Sequence, residues 1–267
     1  MSIIQALILG IVQGLTELLP ISSSAHLYII PWLLDWNKNS AFQISFEGFD
    51  VALHFGTLLA IAIFFFKDWL KLFKGGWEQI QGKKTTEGKM FWYLVLATIP
   101  GGIIGFLLDY FVGDALEKPI IIGIALIIMG ILLYVIDKSA KSSTDYEHMT
   151  LKQTFLIGLS QALAFIPGVS RSGVTMTTGR LLGVDRESSA KYTFLLSTPI
   201  VFAATLYKIK DFAFGELSFY IGILASFLVG IFVIKFLLEY LKKGSFKGFA
   251  IYRVIVGIIV IIATFIK

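Results

Sequence analysis

The chain of 267 residues has no cysteine, which removes disulfide frameworks, thiolate nucleophiles and zinc–thiolate sites together. Charge is scarce too: Asp, Glu, Lys and Arg make up 15% of the residues, where a soluble domain carries about a quarter. Six prolines and no low-complexity tract argue against a disordered or fibrous chain. What is present is apolar: 56% of residues are hydrophobic, glycine numbers 25 and the mean hydropathy is +0.80. So few polar residues could not cover a water-facing surface, and a water-soluble globular enzyme is excluded. The net charge of +5 (23 basic against 18 acidic residues) therefore matters through its placement, not its sum.

Helices that cross hydrocarbon need about 18 or more nearly uncharged residues. Five such stretches stand out, near 47–66, 90–112, 119–136, 187–207 and 216–238, and a sixth near 246–266 is interrupted only by Arg253. Residues 2–35 and 150–183 behave differently. Each is broken midway by a polar, proline-containing cluster, Pro20-Ile-Ser-Ser-Ser and Pro167-Gly-Val-Ser-Arg-Ser. The flanks are short for a crossing, so both segments are expected to be re-entrant helix–break–helix hairpins, a backbone tolerated at depth only when protein buries it or it lines a wet cavity. The N-terminal stretch lacks a basic leader region, and Gln13 and Glu17 interrupt its apolar run; it is expected to stay in the mature chain.

Lysine and arginine orient the molecule. Segments 67–89, 137–152, 184–191 and 239–247 hold fourteen of them, while Lys38, Lys118, Lys208, Lys210 and Lys267 make five opposite, provided that the hairpins return to their starting side. That bias places loop 67–89 in the cytoplasm and both termini outside.

A shift of 148 positions pairs Gly10 with Gly158, Gln13 with Gln161, Leu15 with Leu163, Ser22 with Ser170 and Ser24 with Ser172. Three crossings separate the copies, so the second is expected upside down, the inverted-repeat plan in which broken helices meet near the midplane. The expected fold is all-α: a single polytopic membrane domain over 1–267, with six transmembrane helices plus two re-entrant hairpins, repeat one at about 1–136 and repeat two at about 150–267. Gly101 with Gly105, and Gly222, Ser226 and Gly230, offer small faces for close helix packing.

The residues able to do chemistry cluster at the breaks. Gln13 and Glu17 are four apart and share a helix face; a carboxylate inside a span either faces a cavity or partner, or sits capped at a membrane boundary. Ser22, Ser23 and Ser24 open a helix after Pro20, where serine serves as a cap or as a nucleophile. His26, beside them, is expected to act as acid or base. In the second cluster Arg171 ends an apolar stretch and needs an anion, either a protein carboxylate or a ligand phosphate. Ser170, Ser172, Thr175 and the start of a helix near Gly173 complete an anion cradle. Glu47, Asp50 and His54 mark the outer end of a span, and Arg253 reads as snorkelling or structural.

These strings resemble the undecaprenyl-pyrophosphate phosphatase family, the bacitracin-resistance phosphatases. Gln13-Gly-Leu-Thr-Glu17 matches its first motif, the Pro20–His26 run its Pro–Ser–Ser–His region, and Pro167–Thr175 its Pro-Gly-x-Ser-Arg-Ser-Gly-x-Thr signature. The resemblance implies removal of the terminal phosphate from C55-isoprenyl pyrophosphate, which regenerates the peptidoglycan carrier lipid and confers bacitracin resistance. It implies functional positions at Glu17, Ser23, His26, Ser170, Arg171 and Thr175; with the reading of the breaks, catalytic roles are expected for Glu17, Ser23, His26 and Arg171 and substrate contacts at Gln13, Ser22, Ser170, Ser172 and Thr175. It also implies a divalent cation, Mg²⁺ or Ca²⁺, which Glu17 with Gln13 is expected to hold or orient. With Gln13 in place of a first Glu, the chain departs from a two-carboxylate cage. The expected partners are the polyprenyl pyrophosphate lipid and the bilayer, with room for a homodimer and no nucleic acid. The expected location is the bacterial plasma membrane, with the site opening outward past Glu47 and Asp50. Spacing does not choose between Ser23 and water as the attacking group. A lipid phosphatase needing two histidines around its Ser-Arg motif is excluded, since no histidine follows Arg171. An inverted-repeat transporter or flippase of a polyprenyl-phosphate lipid is the competing reading.

Overall fold

In hydrocarbon every backbone N–H and C=O must find its partner inside the protein, and apolar runs answer by coiling into helices. The computed structural model describes the chain except residue 213, and describes 40, 41, 44, 45, 47, 109, 110, 113, 114 and 211 by their backbone alone. Among the described residues the α-helices are α1 (Ile3–Thr16), α2 (Ser23–Leu33), α3 (Ser40–Phe64), α4 (Phe66–Ile80), α5 (Thr86–Val112), α6 (Pro119–Ser139), α7 (Leu151–Ser160), α8 (Arg171–Leu181), α9 (Arg186–Lys208), α10 (Leu217–Leu241) and α11 (Lys247–Ile266). The chain is an all-α, multi-pass membrane protein.

By length and composition α5, α6, α10 and α11 can each cross a membrane, and the pair α3–α4, bent by 73°, adds a fifth candidate. Helix α9 covers the remaining expected span but does not meet that standard, because Arg186, Glu187, Lys191 and a series of hydroxyls interrupt it. Its first half is interior: Ser188, Ser189, Thr193 and Ser197 are buried, and the helix packs on α3, α5 and α8, while Phe202, Leu206 and Tyr207 near its end are exposed. A helix shielded from lipid by its neighbours need not be apolar all round.

The segment expected as a cytoplasmic loop, 67–89, is largely helix α4. Phe66, Leu70, Phe73, Trp77 and Ile80 recur on one exposed stripe, while Gly75 and Gly76 press against Gly88 and Phe91 of α5. An apolar stripe edged by Lys67, Lys71 and Lys74 is the pattern of a helix lying in the membrane interface, consistent with the sharp turn after α3.

The 148-residue shift also carries structure. Helix α1 starts with a capping box made by Ser2 and Gln5, and α7 with one made by Thr150 and Gln153; the same shift carries α2 onto α8 end for end. Packing gives the directions. Gly10 lies against Gly222 and Ala225 and Gly14 against Ser226 and Val229, so α1 runs parallel to α10. Gly158 lies against Ala97 and Gln161 against Gly101, so α7 runs parallel to α5. On α6 and α11 the order reverses, Gly123 meeting Gly257 and Gly130 meeting Ala250.

Candidate active site

Each break begins with a proline, which has no N–H to continue a helix. Helix α1 ends with the Glu17 N–H on the Gln13 carbonyl, and α2 begins after Ser22, whose φ of 78° is left-handed. The second break repeats this conformation: Gly168 has φ +96° and Ser170 has φ 72°. A non-glycine residue held there costs about 1–3 kcal/mol, and such strain collects at functional sites. Both serines also act as N-caps, Ser22 Oγ accepting from the Ala25 N–H at 3.4 Å and Ser170 Oγ from the Gly173 N–H at 3.0 Å.

The two breaks meet at Glu17. One carboxylate oxygen accepts from Arg171 Nη2, although 154 residues separate the two in sequence. The other accepts the Ser23 hydroxyl at 2.5 Å and lies 3.4 Å from both Gln13 Nε2 and His54 Nδ1. The Gln13 amide also contacts His54 Nδ1 at 2.9 Å. A cavity of about 220 Å³ opens over this cluster. Its polar lining includes Glu17, Ser22, Ser23, Ser24, His54, Gln161, Ser170 and Arg171, with Gly101, Gly105, Phe165 and Ile200 among its apolar lining. Gly101 leaves room for Gln161, since a Cβ there would stand 2.5 Å from Gln161 Cγ. Gly105, expected at a helix contact, has nothing within 4 Å of such a Cβ and opens into the cavity instead.

Of the residues expected here, Gln13, Glu17, Ser22, Ser23, Ser170 and Arg171 are brought together. Ser172 and Thr175 stand behind them: Ser172 Oγ donates to the Leu19 carbonyl at 3.0 Å, tying the second break to the first, and Thr175 Oγ1 bonds the Arg171 carbonyl at 2.7 Å and Thr193 Oγ1 at 2.9 Å. His26 is turned away. Its Nδ1 meets the Ser22 carbonyl at 2.7 Å and its Nε2 the Tyr252 hydroxyl at 2.8 Å, so the imidazole expected to act as acid or base has both nitrogens engaged away from Glu17. The helical turn from Ser22 to His26 directs the ring towards α11.

The imidazole that does face Glu17 is His54. Sequence reasoning placed it at an entrance, yet its place well inside α3, one turn after Asp50, was the available signal. The Glu47 side chain, expected at that entrance, lies outside the described residues; Asp50 is half-buried. Of the two readings of Arg253, snorkelling is the one set aside: the residue is fully buried and bonded to the breaks themselves, a structural place.

No group of three or more His, Cys, Asp or Glu side chains able to hold a metal ion occurs among the described residues. The donors present are one carboxylate, already shared with Arg171 and Ser23, and Gln13 Oε1, which is buried without a hydrogen-bond partner. That set suits a hard cation whose remaining ligands are phosphate oxygens, and does not suit a protein-only cage.

Comparison with known proteins gives a consistent result. Residues 6–259 match the family model described as bacitracin resistance protein BacA. A protein named undecaprenyl-diphosphatase from Pelotomaculum thermopropionicum is 49% identical, covering 98% of this chain and 97% of its own length. Proteins of that name from Desulforudis audaxviator and Caldicellulosiruptor bescii are 44% and 45% identical, again covering 98% of this chain.

Proposed function

Because the chain belongs to the bacitracin resistance protein BacA family, we propose that it hydrolyses undecaprenyl pyrophosphate to undecaprenyl phosphate and inorganic phosphate, recycling the carrier lipid of peptidoglycan synthesis. Bacitracin sequesters the pyrophosphate lipid, so this turnover confers resistance. The observation that carries the reading is the joining of the two breaks, Glu17 holding Ser23 of its own break and Arg171 of the other.

Phosphoryl transfer depends on positioning and charge neutralisation. Arg171, with the free N–H groups of the first turns of α2 and α8, would hold the headgroup at two helix N-termini. Glu17 accepts the Ser23 hydroxyl proton as Ser23 Oγ attacks the terminal phosphorus. The Oγ–P bond forms, the bridging P–O bond breaks, and the lipid monophosphate leaves with that electron pair. Water then attacks the phosphoserine, releasing inorganic phosphate and restoring Ser23. His54, within reach of Glu17, relays the proton between the carboxylate and the cavity. A divalent cation, Mg²⁺ or Ca²⁺, would be held by Glu17 and Gln13 Oε1 together with the substrate, and would supply neutralisation of phosphate charge.

The two repeats, about 1–136 and 150–267, belong to this proposal as inverted halves meeting at the site, as do a plasma-membrane location, a cavity opening to the outer face and a homodimer that binds no nucleic acid. A flippase would need Arg171 but would have no use for a serine held on a carboxylate, and hydrolysis is the better supported reading. The test is phosphate release from a polyprenyl diphosphate by purified protein in detergent. Loss in Glu17→Gln, Ser23→Ala and Arg171→Met is expected, and undiminished turnover in all three would overturn the reading.

A further inference from the structure

Two arginines of this chain are essentially sealed from solvent, and they differ in one respect. Arg180, 1% exposed, donates to the Asp137 carboxylate at 2.9 Å and so has a counter-charge. Arg253, 0% exposed, has only carbonyls: Pro20 O at 3.0 Å, Gly168 O at 2.8 Å, Val169 O at 2.9 Å and Leu126 O at 3.5 Å. No ion pair involves it among the described residues. Removing a guanidinium from water without an opposing charge is expensive, and such a group inside a membrane protein marks a functional site by default.

Its partners say which site. Pro20 and Gly168 are 148 residues apart, the same shift that relates the two breaks. One guanidinium therefore takes equivalent carbonyls from both, through Nη1 on one side and Nη2 on the other. A planar fork does this with separate, fixed N–H groups, whereas an ammonium would have to reach every carbonyl from one nitrogen. The cavity lies one layer beyond: a Cβ on Gly173 would sit 2.6 Å from Arg253 Nη1, and the Gly173 N–H is bonded to Ser170 Oγ in the cavity wall. The preceding residue extends the tie, since the Tyr252 hydroxyl holds His26, whose other nitrogen meets Ser22 O. Within the cavity Glu17 and Arg171 cancel each other's charge, so no protein carboxylate there offsets the positive charge behind the breaks.

We propose that Arg253 is a positioning and specificity-determining residue, which locks the two breaks together and whose unopposed charge favours a diphosphate headgroup over the less charged monophosphate. The inference rests on the hydrolase reading for its substrate. It explains how the product leaves a site built to hold its precursor: hydrolysis removes one phosphate and weakens the attraction, which scales with ligand charge.

The test uses the full chain in detergent. The affinities of a non-hydrolysable prenyl methylene-diphosphonate and of prenyl monophosphate are measured by binding, alongside kcat for a prenyl diphosphate and the melting temperature. Arg253→Gln is expected to lower the diphosphonate-over-monophosphate affinity ratio about tenfold. Arg253→Lys keeps the charge but not the fork; its ratio should stay within about threefold of the parent while kcat falls. Gly173→Ala, which pushes on the fork and leaves the charge, should behave like Arg253→Lys. An unchanged ratio in a folded Arg253→Gln protein overturns the proposal, as does a loss of kcat that merely follows melting temperature across the three variants. Should Arg253→Gln not fold, unchanged kcat in both Arg253→Lys and Gly173→Ala overturns it. Failure of the parent protein to release phosphate would strike the hydrolase reading alone, because the affinity ratio is read without turnover.

Discussion

Breaking the Glu17–Arg171 pair should separate stability from catalysis. The two side chains are 9% and 21% exposed, so each depends on the other for charge compensation. Removing one partner of a buried pair costs about 3–5 kcal/mol, because the survivor is left unpaired, whereas replacing both is often close to neutral. For a chain of this size each kcal/mol lowers the melting temperature by about 2–4 °C, so Arg171→Met alone should melt on the order of 10 °C lower. Combining it with Glu17→Gln should recover most of that loss, a positive coupling of the kind that neighbouring sites show. Turnover should not recover, since the anion clamp and the base are both gone; a loss of at least about a hundredfold is expected for Arg171→Met alone and for the pair. The assay is a thermal melt in detergent run beside phosphate release. A double variant that regains activity, or single variants that melt with the parent, would refute the reasoning.

Further outcomes follow from the cavity walls. Gly101→Ala should push Gln161, already on the cavity wall, further into the space, raising KM for the lipid while the melting temperature holds; an unchanged KM would show that the gap is not needed. Chelation should lower turnover reversibly, and Gln13→Glu, which adds a second carboxylate beside Glu17, should raise the chelator concentration needed; indifference of both proteins to chelator would remove the cation from the scheme. Because the chain has no cysteine, Ser24→Cys gives one exposed thiol at the cavity mouth, expected to react with an impermeant reagent from the outer face. Labelling only from the cytoplasm would reverse the orientation.

Much of this arrangement was legible before any coordinates. Proline followed by clustered serines forces a break, and a buried carboxylate and guanidinium in separate breaks call for each other, so the Glu17–Arg171 contact could be anticipated from cost alone. The span count was less legible, because hydropathy counts residues one at a time while lipid exposure is decided by neighbours; the first half of α9 is polar yet interior, and α4 has an apolar stripe yet bends away. The histidines show the same limit. His26 lies beside the serines in sequence, but its helical turn sends the ring to Tyr252, and His54 reaches Glu17 across 37 residues. Arg253 was readable only as a charge in an apolar run, since its partners are backbone carbonyls that carry no side-chain signature.

The central claim is that Ser23, held by Glu17 and faced by Arg171, takes the terminal phosphate. A prenyl diphosphate labelled in that phosphate, mixed with excess protein and quenched in acid, tests it most directly. The account predicts label on the peptide containing Ser23, absent in Ser23→Ala and in Glu17→Gln. Free labelled phosphate formed at the parent rate by Ser23→Ala, with no labelled peptide at any time, would contradict it.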